Sequence, residues 1–357
     1  MKTNTQNSLD WFFATLLCAL CLGLLHCSST SSTTDTDDQE QEEEETTANE
    51  SDFTPASGTA SDGDQGAYGP WNLRLMIATS TDGSTWTRLG FLTDQGDVPC
   101  VIAKDGKLWV FYVIWRDADS TEGIYNTTVA AYSEDLTNWT FKRLNFTGSF
   151  PAGFTTNPVD PSVVLDQDGS TYRMYFTLGG EGVDAERGTF SATSTDLVNW
   201  TYEGERYVPD DDDALDPNVL WVGDHYEYFA GGLPENEGNH HATSTDGLTF
   251  TADDHILVMT NVSGQDIPVL FANGLKVGDT YKYYGFLNQA VGEEPQPDIR
   301  SFTFNSSDDT WTIDSSAVLS VDESSGEEST FVKDPGVSAH PDGESSGYVL
   351  IYVTAIP

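Results

Sequence analysis

Short runs rich in aromatic and β-branched residues recur from about residue 71 to the end of the chain, and polar turn signals separate them. Runs of this length and composition are typical of β-strands. Four of the runs follow the segments KDGK, DQDGS, VGD and KVGD, whose Gly and Asp residues suit tight turns. The most aromatic runs are KLWVFYVIW (107–115), TYRMYFTLGG (171–180), HYEYFAGG (225–232), YKYYGFL (281–287) and YVLIYVTAI (348–356). The pattern predicts an all-β chain.

Two landmarks repeat in step with these runs. The first is a Ser-x-Asp segment, continued by Gly or Leu, that leads to an aromatic residue; it occurs at Trp86, Trp139, Trp200, Phe250 and, in a divergent form, Trp311. The second is an Asp followed at once or after one residue by Pro, at Asp97, Asp160, Asp216, Asp266 and Asp334. Since Asp and Gly accept tight-turn geometry, the first landmark predicts a hairpin. Each unit then contains four strands, and strand one follows the Asp–Pro.

Repeated four-stranded units of this kind favour a β-propeller. The chain begins with strands three and four of a unit and ends with strands one and two. These halves complete a blade only when the N-terminal strands pair with the C-terminal strands, which also removes the exposed sheet edges. We therefore predict a closed five-bladed propeller. A six-bladed sialidase-type propeller is the alternative, because its Asp boxes resemble STDGSTW, but those boxes have one more residue between Asp and Gly.

The first 66 residues differ from the rest. Residues 1–27 contain the apolar run WFFATLLCALCLGLLHC and predict a signal peptide that resembles a lipoprotein signal, with Cys27 as the lipidation site. Plain secretion, lipidation at Cys21 and a single membrane-spanning helix are the alternatives. Residues 28–66 are acidic and rich in Ser and Thr, so we expect a disordered linker. The propeller is then residues 67–357, in which Cys100 is the one cysteine and no internal disulfide can form.

The formal net charge of −43 limits the partners. Nucleic acid and anionic membrane surfaces are excluded as expected partners because their fields repel such a chain. We expect membrane contact only through a lipid anchor, and a monomer. A neutral substrate or a cation is compatible with this negative charge. The charge can also serve only to keep the protein soluble.

Propeller geometry places the five Asp–Pro residues around one mouth of the central funnel, together with the loops from strand two to strand three. Function is often carried by such loops. The candidate substrate-binding residues at this mouth are Arg116, Glu181, His240, Asp266 and Asp334, and the candidate catalytic residues are Asp97, Asp160 and Asp216.

Two segments carry a resemblance to a known group of enzymes. VDPSVVLDQDGSTYRMYFTLGG (159–180) and LDPNVLWVGDHYEYFAGG (215–232) resemble inner-strand signatures of the five-bladed glycoside hydrolases, which include the arabinanase and xylosidase group (family 43) and its invertase-like relatives. The resemblance covers residues 70–357 as a repeat pattern. It implies an Asp base or nucleophile, a second Asp that tunes pKa values and a Glu general acid, because glycoside cleavage needs one protonated and one ionised carboxyl group.

The resemblance assigns these roles in two ways. By its VDPS context Asp160 is the tuning residue, Asp216 takes the acid position and Asp334 takes the base position. When the blades are instead matched to those of the family in chain order, Asp97 is the base, Asp216 is the tuning residue and Asp266 takes the acid position. Under both assignments the acid position holds Asp instead of Glu, so the chain is a divergent or a non-catalytic member of the pattern. Residues that can substitute as the acid are Glu122, Glu181, Glu235 and Glu237.

The expected function is that of a secreted or surface-anchored glycosidase-like protein acting on a neutral poly- or oligosaccharide. The alternative is a non-catalytic surface propeller that binds glycans or a partner. The Asp ring can also be structural, since Asp side chains cap backbone N–H groups. No cofactor is required. Calcium is a candidate ligand of the funnel oxygens or of PDDDDALD (209–216), because clustered carboxylates suit Ca²⁺.

Overall fold

The computed structural model describes most of the chain after residue 51, and its sheets confirm the all-β prediction. The described residues are 52–60, 69–115, 126–155, 157–179, 187–209, 213–231, 239–252, 259–260, 266–267, 269–278, 280–287, 298–305 and 310–357. They form five sheets and no α-helix. Three one-turn 3-10 helices are Pro70–Asn72, Glu323–Ser325 and Glu344–Ser346.

The strands follow the predicted order of four per unit. The chain starts with β1 (Leu73–Ser80) and β2 (Thr87–Asp94). Blade one contains β3 (Gly96–Lys104), β4 (Lys107–Ile114), β5 (Thr127–Ser133) and β6 (Thr140–Arg143). Blade two contains β8 (Val159–Leu165), β9 (Tyr172–Gly179), β10 (Arg187–Ser194) and β11 (Asn199–Tyr207), with β7 (Asn145–Thr147) parallel to β11 at its outer edge.

The remaining blades complete the ring. Blade three contains β12 (Leu215–Trp221), β13 (Tyr226–Gly231), β14 (His240–Ser244) and β15 (Thr251–Ala252). Blade four contains β18 (Val269–Val277), β19 (Thr280–Leu287), β20 (Asp298–Asn305) and β21 (Thr310–Ser320), with β16 (Met259–Thr260) and β17 (Asp266–Ile267) beyond β21. Blade five contains β22 (Ser329–Ala339) and β23 (Tyr348–Ala355), followed in the sheet by β1 and β2.

The five inner strands close a ring around a central axis. Their order is β22, β3, β8, β12 and β18, and β18 lies next to β22. In blade five, β1 pairs antiparallel with β23 from Leu73 opposite Ala355 to Ser80 opposite Tyr348. The prediction of a five-bladed propeller closed by its terminal strands is therefore confirmed.

The apolar core of the described residues lies in the five spaces between neighbouring blades. Each space holds one cluster of buried side chains, such as the cluster of Phe229, Phe271 and Trp311 between blades three and four. A strand with a blade on each face is buried on both sides, so its sequence is continuously apolar and does not alternate. This is why LWVFYVI in β4 is buried at every position.

The Ser-x-Asp repeats are turns that connect strand three to strand four. In blade two, the Asp196 carboxylate accepts N–H groups from Val198 and Asn199 at 2.9 and 2.7 Å, and Ser194 Oγ donates to it at 3.1 Å. The same bonds occur at Asp82, Asp135 and Asp246. The repeat that is most conspicuous in the sequence thus has a structural role, as predicted.

Two of these hairpins also join neighbouring blades. Tyr284 of blade four donates its hydroxyl to the Gly83 carbonyl of blade five at 2.6 Å, and Tyr175 of blade two donates to Gly247 of blade three at 2.8 Å. Both glycines have a positive φ, 67° and 68°.

We expect Gly247→Ala to destabilise the protein by about 2–4 kcal/mol. The Cβ of an alanine at this position would lie 2.6 Å from the Tyr175 hydroxyl, and the alanine would have to adopt a φ of 68°. Crowding therefore adds to backbone strain. Gly106→Ala is the matched control, because Gly106 has φ of 72° and open space around it; we expect a loss of about 1 kcal/mol. Equal losses for the two variants in urea unfolding would rule out the packing contribution.

Residues 52–60, which the sequence assigns to the linker, pack against the propeller. Phe53 is buried in the space between blades five and one, and its N–H donates to the Phe141 carbonyl at 3.2 Å. Gly58 N donates to Asp94 Oδ2 at 2.6 Å. The segment therefore belongs to the folded unit. In the described part of the chain, no helix has the length and apolarity needed to cross a membrane.

Candidate active site

Four inner strands carry a bulge at the Asp–Pro position. The pairing registers shift between Asp97 and Cys100, Val159 and Ser162, Leu215 and Asn218, and Lys333 and Gly336. Proline has no N–H to donate to the neighbouring strand, so it is found in sheets at such irregularities. In β3, β8 and β12 the bulge lies at the start of the inner strand, where the sequence predicts the funnel mouth, and in β22 it lies near the middle of the strand.

The residue before each of these prolines has a left-handed backbone. The φ angles are 54° at Asp160, 51° at Asp216, 46° at Asp334 and 45° at Val98. Non-glycine residues adopt this conformation at a cost of about 1–3 kcal/mol, and such strain clusters at functional sites. In blade one the strained residue is Val98, so Asp97 stands one residue earlier than the other three aspartates. The repeat pattern in the sequence treats Asp97 as equivalent to the other three aspartates, but in the structure the equivalent residue is Val98.

The aspartates of four blades come together at the axis. Lys333 Nζ lies 2.6 Å from Asp97 Oδ1 and also forms an ion pair with the Asp334 carboxylate. Asp160 acts electrostatically on Asp216 and raises its pKa. Asp97 and Asp334 also act electrostatically on Asp160. The structure thus brings together the three predicted catalytic residues and one predicted substrate-binding residue, Asp334.

Burial and crowding shift the protonation of this cluster. The pKa of Asp160 is raised to about 6, mainly by burial and to a smaller extent by the charges of Asp97 and Asp334. Burial, opposed by Lys333, raises the pKa of Asp334 to about 7. The pKa of Asp216 is raised well above its usual value by burial and then by Asp160. These carboxyl groups can therefore hold protons near neutral pH, as general acids must.

The cluster is enclosed by protein but remains in contact with solvent. The side chains of Asp97 and Lys333 are 17% and 19% exposed, and that of Asp334 is 7% exposed. Asp216 and Asp334 also line a small cavity of about 20 Å³ among the inner strands, which is room for about one water molecule. Water and a small polar group can both approach the carboxyl groups.

The other predicted site residues are placed differently. Arg116 and Glu181 lie outside the described residues, as do Glu122, Glu235 and Glu237. The backbone of Asp266 is in β17, which pairs with β16 and precedes the inner strand β18; its side chain is not among those described. The loops 116–125, 180–186, 232–238 and 288–297 at the predicted mouth are likewise outside the described residues.

His240 is buried between blades two and three. Its Nδ1 lies 3.3 Å from the Tyr207 hydroxyl, and its Nε2 lies 3.0 Å from the Asp213 carbonyl oxygen. Both ring nitrogens therefore have partners within the fold, and the residue is 8% exposed. This position supports a packing role, and the role in substrate binding stays a prediction.

Lys333 is the site residue that the sequence analysis missed. It is one of 15 basic residues in a chain with 58 acidic ones, and it directly precedes a ring aspartate. The scarcity of basic residues was the signal in the sequence that could have identified Lys333 as a site residue. Among the described residues, no group of three or more His, Cys, Asp or Glu has an arrangement that could hold a metal ion. Calcium binding stays a prediction.

Comparisons with known proteins give structural likeness without sequence likeness. No protein-family model matches the chain, and no curated protein matches it. One similar solved structure is a thermostable family-43 glycoside hydrolase, with 12% identity, 72% of this chain and 88% of that chain covered, and a TM-score of 0.53. Another is an N-acetylgalactosamine deacetylase from F. plautii in complex with blood group B trisaccharide (14% identity, 75% and 81% covered, TM-score 0.52).

A third similar structure comes from the GH130 family of mannoside phosphorylases, described as containing glycoside hydrolases that target β-1,2 mannosidic linkages in Candida mannan (13% identity, 73% and 86% covered, TM-score 0.51). At these identities the likeness establishes the fold. The chain therefore has the five-bladed propeller fold of these glycoside hydrolases, which confirms the structural resemblance that its repeats indicate.

Proposed function

We propose that this protein hydrolyses glycosidic bonds in a neutral poly- or oligosaccharide at the axial carboxyl cluster. The observation that carries the proposal is the convergence of Asp97, Asp160, Asp216 and Asp334 from four blades, with raised pKa values at three of them. Hydrolysis needs a protonated carboxyl group to release the leaving oxygen and an ionised one to activate water or attack the sugar. The cluster offers both states within one funnel.

The roles follow from the contacts. Asp160 and Asp216 form a pair of buried carboxyl groups with raised pKa values, because burial and neighbouring acidic groups disfavour their ionisation. That pair is the proton donor in this proposal, with Asp216 in the acid position and Asp160 as the group that tunes it. Asp97, which forms an ion pair with Lys333, is the base in this proposal. The site carries more acids than bases, so we expect neutral sugars to bind and uronic acids to be repelled.

Hydrolysis can be tested with the purified full-length protein in mild detergent. Reducing-sugar release is measured on a panel of neutral plant, marine and yeast polysaccharides, with a uronic-acid polymer as the charge control. Release from at least one neutral polymer, with an optimum below pH 7, supports the proposal. Release only from the acidic polymer contradicts the proposed substrate class.

Non-catalytic glycan binding is the second candidate, and one observation favours it. The described carboxyl groups at the axis are all aspartates, whereas the family pattern calls for Glu as the acid. A folded protein that releases no sugar from any polymer but binds a glycan in calorimetry would favour this candidate over hydrolysis.

We also propose that the protein is exported and anchored to a bacterial cell envelope through Cys27. The support is the apolar run of residues 11–27 and the cysteine that closes it. Metabolic labelling with a palmitate analogue tests the anchor: label should attach to the parent protein and be lost in Cys27→Ser. Label retained in that variant, with loss in Cys21→Ser, would move the anchor.

A further inference from the structure

Lys333 lies at a position that joins two blades through the carboxyl cluster. It belongs to β22, the inner strand of blade five, while its partner Asp97 belongs to β3, the inner strand of blade one. Its charge also acts on Asp160, Asp216 and Asp334. The pKa of Lys333 is lowered by burial, but Asp334 and Asp97 more than offset this and raise it above the ordinary value. The side chain is therefore an ammonium ion throughout the neutral range.

We propose that Lys333 is a positioning residue of this site: it holds Asp97 as an oriented carboxylate and thereby leaves the exchangeable proton to the Asp160–Asp216 pair. In this division of charge, Lys333 and Asp97 form the ion pair, and the exchangeable protons are held by Asp160, Asp216 and Asp334. This charge division is a property of the folded chain alone. Its consequence for catalysis rests on the function proposed above.

Two other roles for Lys333 fit the structure less well. A covalent nucleophile requires a neutral amine, but this amine is held in its charged form by two carboxylates. A simple strut between blades would stabilise the fold equally at every pH at which both partners are charged. Lys333 instead contacts Asp334 and acts through its charge on Asp160, two groups whose pKa values are raised to about 7 and about 6. Its contribution to stability must therefore grow as these groups ionise.

The experiment compares Lys333→Met, which keeps the length of the side chain and removes its charge, with Lys333→Arg, which keeps the charge. Lys282→Met is the matched control. Lys282 also contacts another blade, through Ser84 of the hairpin between β1 and β2, but it lies away from the carboxyl cluster. Urea unfolding is measured from pH 4.5 to 8 for all four proteins.

At pH 4.5 we expect Lys333→Met to be only slightly less stable than the parent, because Asp160, Asp216 and Asp334 are then protonated and the loss is limited to the contact with Asp97. At pH 8 its folding equilibrium constant should be at least tenfold lower than that of the parent, since the carboxylates lack their cation. Lys333→Arg should recover most of this loss. Lys282→Met should differ from the parent by the same factor at both pH values.

Equal pH dependence for Lys333→Met and Lys282→Met would overturn the proposal, and so would failure of Lys333→Met to fold at pH 4.5 as well as at pH 8. Where sugar release is measurable, the acidic limb of the pH–rate profile should move to higher pH in Lys333→Met and return in Lys333→Arg. A protein that releases no sugar leaves the unfolding test intact, so failure of the proposed function is distinguishable from failure of the charge division.

Discussion

Asparagine in place of Asp160 is expected to abolish sugar hydrolysis and to stabilise the fold at alkaline pH. The activity should fall by at least about 10²–10⁴-fold, which is the usual contribution of a positioned acid or base. The folded-state pKa of about 6 exceeds the ordinary value, so the folded protein holds a proton that the unfolded chain has released. Stability therefore falls as pH rises from about 4 to above 6. The Asp160→Asn variant would remove this loss and be more stable than the parent at pH 8 by about 3 kcal/mol.

The control for this variant is Asp168→Asn in the same blade. Hydrogen bonds from the Thr171 hydroxyl and backbone and from the Ser170 N–H lower the pKa of Asp168 to about 2. A lowered pKa means that its stabilisation is present above about pH 4 and lost in acid. Asp168→Asn should therefore destabilise the protein at pH 8 and leave hydrolysis unchanged. Urea unfolding at pH 5 and pH 8, with sugar release, checks both variants. Full activity in Asp160→Asn, or no gain in stability at pH 8, would refute the assignment.

Glu328→Ala is expected to destabilise the protein by about 3–5 kcal/mol, because removing one partner of a buried ion pair leaves the other unpaired. The Glu328 side chain is fully buried at the junction of blade five. Its carboxylate accepts hydrogen bonds from Arg88 of β2, with Nη2 at 3.0 Å, from the Tyr352 hydroxyl of β23 and from the Asp322 N–H at 2.8 Å. These bonds join the N-terminal half of the blade to its C-terminal half.

The variant Glu323→Ala provides the comparison, since Glu323 is exposed on the nearby 3-10 helix and should change stability by less than about 0.5 kcal/mol. Hydrogen exchange should show where the loss occurs. Amides of β1 that pair with β23 should exchange faster in Glu328→Ala than amides of blade two. Uniform acceleration in all blades would mean that the ring unfolds as one unit and that Glu328 does not act on the closure alone.

The architecture of this protein follows from local patterns along its chain. Turn chemistry is local: Asp196 and its equivalents bond N–H groups two and three residues away, so their spacing along the chain marks each hairpin. Burial of both strand faces produces the continuous apolar runs of the second strands. The sequence places strands three and four of a unit before the first complete unit, and strands one and two after the last. This order predicts closure through β1 and β23, and the pairing of these two strands confirms the prediction.

Other features depend on contacts between distant parts of the chain, so only the folded ring reveals them. Lys333 and Asp97 are 236 residues apart in the chain, and ring closure brings β22 beside β3. The bulge that sets the backbone at Asp97 depends on the pairing of β3 with β4. The packing of residues 52–60 also depends on a remote partner, since Phe53 is buried only because a space between blades accepts it. Local sequence patterns predict strands and turns, but the raised pKa values of Asp160, Asp216 and Asp334 depend on the charges and burial that the closed ring imposes on them.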